Sequence, residues 1–280
     1  MQRILIGLLV LTCSLPAPAL AQEIFPDDAL RKVVQEIAKK KTGKAELTEA
    51  VLGDIYFLRA PEKGIKDLTG LEKMTNLASV KLGGNEISDL APLAGLTDIQ
   101  LLDLRKNKIA NIAPLAGLKN LQYLQLEHNQ IADIKPLAGL TAMASLYVSH
   151  NKITDLTPIA KLEKLSSLYA GHNAIKDIQP ISKLKRIDTL DLQHNTIVDV
   201  TPLTSLHEMR LTLLQNNKIA DLAPLVKMAA ADAKGDKGFA PYWELYLGGN
   251  PLSKEAKTKQ IEALKASGVS VHLGEEKDVK

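Results

Sequence analysis

Residues 121–142 read LQYLQLEHNQIADIKPLAGLTA, and the pattern of this stretch returns along the chain at a fixed interval. Its asparagine, Asn129, belongs to a column that recurs every 22 residues, with an isoleucine two positions after each member and a proline seven positions after. So many copies in one phase predict a repeat architecture, in which each unit buries its apolar side chains against its neighbours. The column comprises Asn85, Asn107, Asn129, Asn151, Asn173, Asn195 and Asn217.

Each unit predicts a short strand, a turn and a compact return segment. Leu124 and Leu126 alternate with polar residues, as in a half-buried strand. Asn129 is expected to turn the chain, Asp133 to cap the next turn, and Pro136 to begin a helical turn. Because 22 residues leave no room for a long helix, the return segment is expected to contain 3₁₀ turns. Stacked units then share one core and form a parallel sheet.

The unit L-x-x-L-x-L-x-x-N, followed by I-x-D-[IL]-x-P-L-A-x-L, resembles the bacterial internalin-type subclass of leucine-rich-repeat proteins. The resemblance extends from about Ile24 to Leu273. It implies an α/β fold, namely a right-handed leucine-rich-repeat solenoid. A parallel β-sheet lines its concave face, 3₁₀ or short helical turns form its convex face, and helical caps close its ends. It also implies a protein-interaction module without catalysis, with adhesion or surface recognition as the role.

Four segments follow from these patterns. Residues 1–21 are predicted to be a secretory signal peptide, because a basic start and a short apolar run precede the cleavage site Ala19-Leu20-Ala21. Residues 22–62 are expected to form an N-terminal helical cap, 63–252 the repeats, and 253–280 a C-terminal cap and tail. Asn250 follows Asn217 by 33 residues rather than 22, which predicts an 11-residue insertion near 227–237. Lipidation at Cys13 is the alternative for the leader, but Thr12 stands where a lipobox has a smaller residue.

Composition and motifs exclude several classes of function. The chain has 35 basic and 32 acidic residues, which argues against a nucleic-acid-binding protein. Its single cysteine excludes a disulfide scaffold. No stretch beyond the leader approaches twenty apolar residues, so no membrane span is expected after signal removal. Because no nucleophile elbow, P-loop or zinc-protease motif occurs, we predict neither enzyme activity nor a cofactor.

The strand positions that alternate with leucine are predicted to line the concave face, and two groups of side chains there suggest a binding site. Tyr, Trp and Arg are the residue types that anchor protein interfaces. The alternative is cross-strand pairing that only stabilises the sheet. The main contact is predicted in the C-terminal half, where two strands bring apolar residues together beside the insertion. The first group is Tyr123, Tyr147 and Tyr169, and the second is Leu211, Leu213, Trp243 and Tyr246, with Arg210 beside Trp243.

The predicted partner is an unidentified protein on a host or envelope surface, bound by an exported or periplasmic module. A structural or envelope role that binds glycan or peptidoglycan is the alternative, because aromatic faces stack on sugars as well as on proteins. An enzyme is a third hypothesis, disfavoured by the missing acid, base and nucleophile.

Two further columns raise the question of metal binding. Imidazoles in neighbouring strands are close enough to share a zinc or copper ion, but no carboxylate column converges on them. A structural role with an effect of pH is therefore preferred for His128, His150, His172 and His194. The aspartate column suggests calcium, yet one carboxylate per repeat supplies too few of the roughly six oxygens that calcium needs. Turn capping is the preferred interpretation of that column.

Overall fold

The computed structural model describes residues 24–235 and 238–274. The predicted signal peptide, residues 236–237 of the insertion and the end of the tail lie outside these ranges. Ten strands of three residues pair in parallel and in chain order within one sheet. They are β1 (Phe57–Arg59), β2 (Ser79–Lys81), β3 (Leu101–Asp103), β4 (Tyr123–Gln125), β5 (Ser145–Tyr147), β6 (Ser167–Tyr169), β7 (Thr189–Asp191), β8 (Leu211–Leu213), β9 (Glu244–Tyr246) and β10 (Ser270–His272).

Among the described residues, α-helices lie at the ends of the solenoid and at the insertion, and they include α1 (Asp28–Thr42), α2 (Glu49–Gly53), α3 (Ala223–Lys234) and α4 (Ile261–Ala266). A π-helical turn, Ala256–Gln260, directly precedes α4. The return segments between strands contain 3₁₀ turns, which confirms that prediction. These turns are Leu71–Lys73, Ala91–Leu93, Ala113–Gly117, Lys135–Gly139, Thr157–Lys161, Gln179–Lys183, Thr201–Ser205 and Ala240–Tyr242. None of the helices in the described part of the chain is long and apolar enough to cross a bilayer.

The strand register agrees with the repeat pattern. In each strand from β1 to β9 the middle residue is buried, and Leu124 and Leu146 are fully inaccessible. The register sets Leu124 opposite Leu146, and it sets Gln125 opposite Tyr147. The residues on either side of the buried one point to the concave face and are mostly half-buried. The leucine columns thus form one continuous core, as the stacking of repeats requires.

The asparagine column bonds each repeat to the one before it. The Oδ1 atom of Asn195 accepts the N–H of Ile175 at 2.9 Å. Its Nδ2 donates to the carbonyls of Ala170 and Leu192, both at 3.0 Å. The other members repeat this arrangement. A buried amide thereby satisfies backbone groups that a sharp turn would leave unpaired.

The aspartate column caps turns, as predicted. The Oδ1 atom of Asp133 accepts the N–H of Lys135 at 2.8 Å, at the start of the 3₁₀ turn. Asn111 does the same for Ala113, which shows that an amide oxygen serves as well as a carboxylate. The column is therefore accounted for by backbone hydrogen bonds.

The first helix of the N-terminal segment is bounded by local capping groups. The carboxylate of Asp27 accepts two N–H groups of the first turn of α1 through Oδ1, and those of Lys66 and Asp67 through Oδ2. One side chain thus starts the helix and attaches it to the repeats. Gly43 ends the helix with φ 79°, a left-handed conformation that favours glycine.

Candidate functional site

The three tyrosines predicted for the first group meet on the concave face. The rings of Tyr147 and Tyr169 stack, with centroids 4.6 Å apart and planes at 7°. The ring of Tyr123 lies 5.1 Å from that of Tyr147 and is tilted by 45°. All three side chains are half-buried. Burial raises the pKa of the Tyr123 and Tyr169 hydroxyls, so both stay neutral at physiological pH.

Two buried aspartates flank the tyrosine stack in the same column. Asp191 lies directly opposite Tyr169 in the sheet register, while Asp103 lies two strands before Tyr147. Asp103 and Asp191 are only 5% and 6% exposed. The Oδ1 atom of Asp191 accepts the N–H of Gln193 at 3.1 Å. A Cβ atom at position 171 would lie only 2.8 Å from that oxygen. The Asp191 carboxylate therefore fits here because residue 171 is a glycine and has no side chain.

Glu127 is the most perturbed carboxyl of this face. Burial raises its pKa to about 7, and the Arg105 charge offsets this only in part. Its Oε2 atom is buried and has no hydrogen-bond partner among the described residues, and the same holds for the Ser149 hydroxyl. Glu127 and Ser149 occupy equivalent positions in adjacent repeats, two residues before Asn129 and Asn151. The centre of the concave face thus holds polar atoms whose bonding capacity is unused.

The second group is not the exposed patch that the sequence predicts. Trp243 is fully buried, and its Nε1–H donates to the Thr212 hydroxyl at 2.8 Å. Its ring meets Phe239 edge-on at 5.8 Å. The irregular repeat after the insertion is filled by this large side chain, and Thr212 replaces the usual leucine because the indole needs an acceptor. Trp243 is therefore a core residue, and the prediction that it lies on the face is wrong.

The sheet register keeps the remaining members of that group on neighbouring strands. Leu213 is 4% exposed and lies opposite Tyr246 in the register. The Tyr246 ring stacks on His272, with centroids 4.2 Å apart. Leu211 stays half-buried on the face. The Arg210 guanidinium lies 6.0 Å from the centroid of the exposed Tyr242 ring, and its backbone carbonyl accepts the N–H of Glu244, the residue after Trp243.

Two exposed aromatic residues at the start of the first strand were not predicted from the sequence. Phe57 is 71% exposed and Tyr56 is 45% exposed, with the Lys41 ammonium 5.8 Å from the Tyr56 ring centroid. The signal was present, because Phe57 stands six positions before Lys63, which occupies the asparagine slot of its repeat. Extending the concave column by one repeat identifies it.

The histidine column forms a continuous stack. Consecutive ring centroids lie 4.0 Å apart, with planes within 12° to 16° of parallel. Each of the four residues has φ between 50° and 56°, a left-handed slot that Asn216 and two glycines fill in other repeats. Nitrogen lone pairs of parallel rings lie in separate planes, so they do not converge on one ion. Burial and the nearby Lys106 charge lower the pKa of His128.

The insertion creates a cavity of about 770 Å³ away from the sheet. Its lining includes Met228 and Phe239, together with polar side chains such as His207 and Asp232. The Asp232 carboxylate is already engaged by the N–H groups of residues 238–240. The cavity therefore presents mainly an apolar wall.

Comparisons with known proteins agree with this architecture. The family described as "Leucine Rich repeats (2 copies)" matches residues 97–139, 119–161, 141–183 and 163–206. The solved structure of internalin C2 from Listeria monocytogenes is 36% identical, covers 74% of this chain and 92% of its own, and has a TM-score of 0.71. Internalin F from the same organism is 29% identical, with coverages of 94% and 79% and the same TM-score.

More distant solenoids show the fold alone. The leucine-rich-repeat ectodomain of a plant receptor kinase from Arabidopsis thaliana, solved in complex with Casparian strip integrity factor 2, is 19% identical. That likeness covers 73% of this chain and 26% of the receptor chain, with a TM-score of 0.59. No curated protein matches the sequence.

Proposed function

Because the chain belongs to the leucine-rich-repeat family and resembles the internalins within it, we propose that it is an exported, non-catalytic module that binds a protein partner through its concave face. The centre of contact is the tyrosine surface, which we define as Tyr123, Tyr147 and Tyr169 with the flanking Glu127 and Asp191. Arg210, Leu211 and Tyr246 lie toward the C-terminal end of the solenoid and form the periphery of the proposed contact.

The observation that supports this proposal is the cluster of three half-buried tyrosines at the centre of the sheet face. The leucine columns close the core without them, since the middle residue of each strand is already buried. Tyrosine supplies large, rigid contact area together with a hydroxyl for hydrogen bonding, which is why it recurs in protein interfaces.

The test is affinity capture with residues 22–280, comparing the unmodified protein with a Tyr147→Ala/Tyr169→Ala variant. Tyr242→Ala is the matched control, because Tyr242 is 61% exposed and lies outside the concave columns. Loss of both stacked rings is expected to weaken binding of the captured partner by about 30-fold, corresponding to about 2 kcal/mol. Equal binding by all three proteins would reject the tyrosine surface as the contact.

Export is proposed from the leader sequence, with cleavage between Ala21 and Gln22. The intact mass of the protein recovered outside the cytoplasm tests this site directly. A protein that begins at a lipid-modified Cys13 would overturn this cleavage site and would indicate membrane anchoring instead.

Glycan binding is the second candidate. It is favoured by the stacked tyrosine rings, which lie beside serine hydroxyls. Ser145 and Ser167 stand two residues before Tyr147 and Tyr169, on the same face of β5 and β6. A glycan array that includes peptidoglycan fragments distinguishes the candidates. Saturable sugar binding that is lost in the double tyrosine variant would favour this alternative over a protein partner.

A further inference from the structure

We propose that the partner segment on the concave face carries a charge gradient: acidic side chains against β1 and β2 and a basic side chain against the Tyr147–Tyr169 stack. This inference rests on the proposed function, because it specifies the chemistry of the partner that the tyrosine surface binds. It follows from an uneven distribution of charge along the sheet.

The N-terminal end of the concave face is basic. Arg59 on β1 is exposed, and Lys81 lies opposite it on β2. No ion pair engages either side chain within the part of the chain that the structure describes. Arg105 adds a third cation, but its Nε lies 3.5 Å from the Asp103 carboxylate and is largely compensated. Beside them, the exposed Phe57 adds an apolar contact.

The concave positions of the strands after β3 carry acidic side chains and neither lysine nor arginine. From β4 to β9 they contain three carboxylates. Glu127 and Asp191 bracket the tyrosine stack, while Glu244 is engaged by the His272 ring at 2.5 Å. Charge complementarity therefore assigns a cation to the centre of the face and anions to its N-terminal end.

Within the tyrosine surface, Tyr169 is the ring that can receive that cation, because the Tyr147 ring is packed between Tyr123 and Tyr169. An aromatic ring carries negative charge on its face and attracts a guanidinium or ammonium group within about 6 Å of its centroid. Asp191 lies next to Tyr169, so a group over this ring is also near a carboxylate. Arginine, with five donors in a planar group, fits this combination of rings and oxygens.

The spacing of the strands sets the length of the segment. Four strand intervals separate the Arg59–Lys81 pair from the Tyr147–Tyr169 pair. At about 4.8 Å per interval this is about 19 Å, which an extended chain spans in about six residues at 3.3 Å each. The expected segment therefore has acidic residues about six positions away from a basic one.

The experiment is selection from a phage library of random peptides about 12 residues long, enough to cover β1 to β6. Selection uses the unmodified protein, and each enriched peptide is then measured against Tyr147→Ala and Tyr169→Ala variants whose thermal melts show that they fold. Peptides that need the tyrosines are expected to be enriched in arginine or lysine, with acidic residues about six positions away. Enrichment of tyrosine-dependent peptides without a basic residue would overturn the charge gradient, while leaving the proposed function intact.

Charge reversal gives an independent measurement of the same inference. The Lys81→Glu substitution is expected to lower the affinity for peptides that need the tyrosines by about tenfold. Lys176→Glu is the control, since Lys176 is exposed and lies outside the concave columns. Equal effects of the two reversals would show that only net charge matters and would overturn the gradient. Selected peptides that bind without the tyrosines would instead count against the proposed function itself.

Discussion

Lowering the pH from about 7.5 to about 5 is expected to destabilise the protein through its histidine stack, and His150→Asn is expected to remove most of that loss. His150 lies between two rings, with centroids 4.0 Å from both His128 and His172. Asparagine is the replacement of choice because Asn216 adopts the same left-handed backbone, at φ 55°, in the same slot of its repeat.

The magnitude follows from the ring spacing. Two unit charges 4 Å apart repel by about 1 kcal/mol in water, and the side chains of His128 and His150 are exposed enough for that limit to apply. His150 belongs to two adjacent ring pairs, one with His128 and one with His172, so positive charge on these rings creates two repulsive pairs at His150. The variant should therefore lose about 2 kcal/mol less stability than the unmodified protein on acidification.

Two neighbouring groups give pH effects of opposite sign. The pKa of His128 is lowered in the folded state, so its contribution to stability is present above about pH 6.5 and is lost as the pH falls through the lowered pKa. The pKa of Glu127 is raised to about 7, so its contribution is present at low pH and is lost as the pH rises through that value. Comparing two proteins at both pH values cancels the Glu127 contribution, which they share.

Urea denaturation of both proteins at the two pH values measures the difference, and His207→Asn is the control because His207 lies outside the stack. Raising the salt concentration to about 0.5 M should shrink the difference, since these charges are partly screened. If the unmodified protein and His150→Asn lose equal stability on acidification, the repulsion argument is refuted.

Three further predictions concern the core. Leu124→Ala is expected to lower the free energy of unfolding by about 2–5 kcal/mol, because Leu124 is fully buried. Tyr147→Ala, on the sheet face, should lower it by about 1 kcal/mol. Equal losses in denaturant melts would contradict the strand register. Thr212→Val is expected to lower the free energy of unfolding by about 1–3 kcal/mol, because it leaves the buried Trp243 Nε1–H without an acceptor. Unfolding followed by the fluorescence of this single tryptophan measures the loss. An unchanged midpoint would show that this hydrogen bond does not contribute to stability. Asn195→Ala removes four hydrogen bonds from a side chain that is 5% exposed, so a loss of about 3 kcal/mol or more is expected in the same melts. A loss below about 1 kcal/mol would contradict that role.

The sequence by itself determined the repeats and everything that repeats impose. The 22-residue period identifies the buried strand residue, the turn asparagine and the 3₁₀ segment of each unit. The start of α1 after Asp27 and its end at Gly43 were also readable, because helix caps depend on local side chains. These features are predictable because each repeat contacts mainly its neighbours, so one fixed interval relates residues that touch.

Only the tertiary structure decided what happens where the period breaks and where side chains meet. The insertion removes the fixed interval, so nothing in the sequence distinguishes an exposed Trp243 from one that donates to Thr212 in the core. Depth of burial likewise sets the pKa of Glu127, and burial depends on all the side chains packed around it. The column of histidines was visible in the sequence, but its 4.0 Å ring spacing comes from the twist and separation of neighbouring repeats, which residue type alone does not specify.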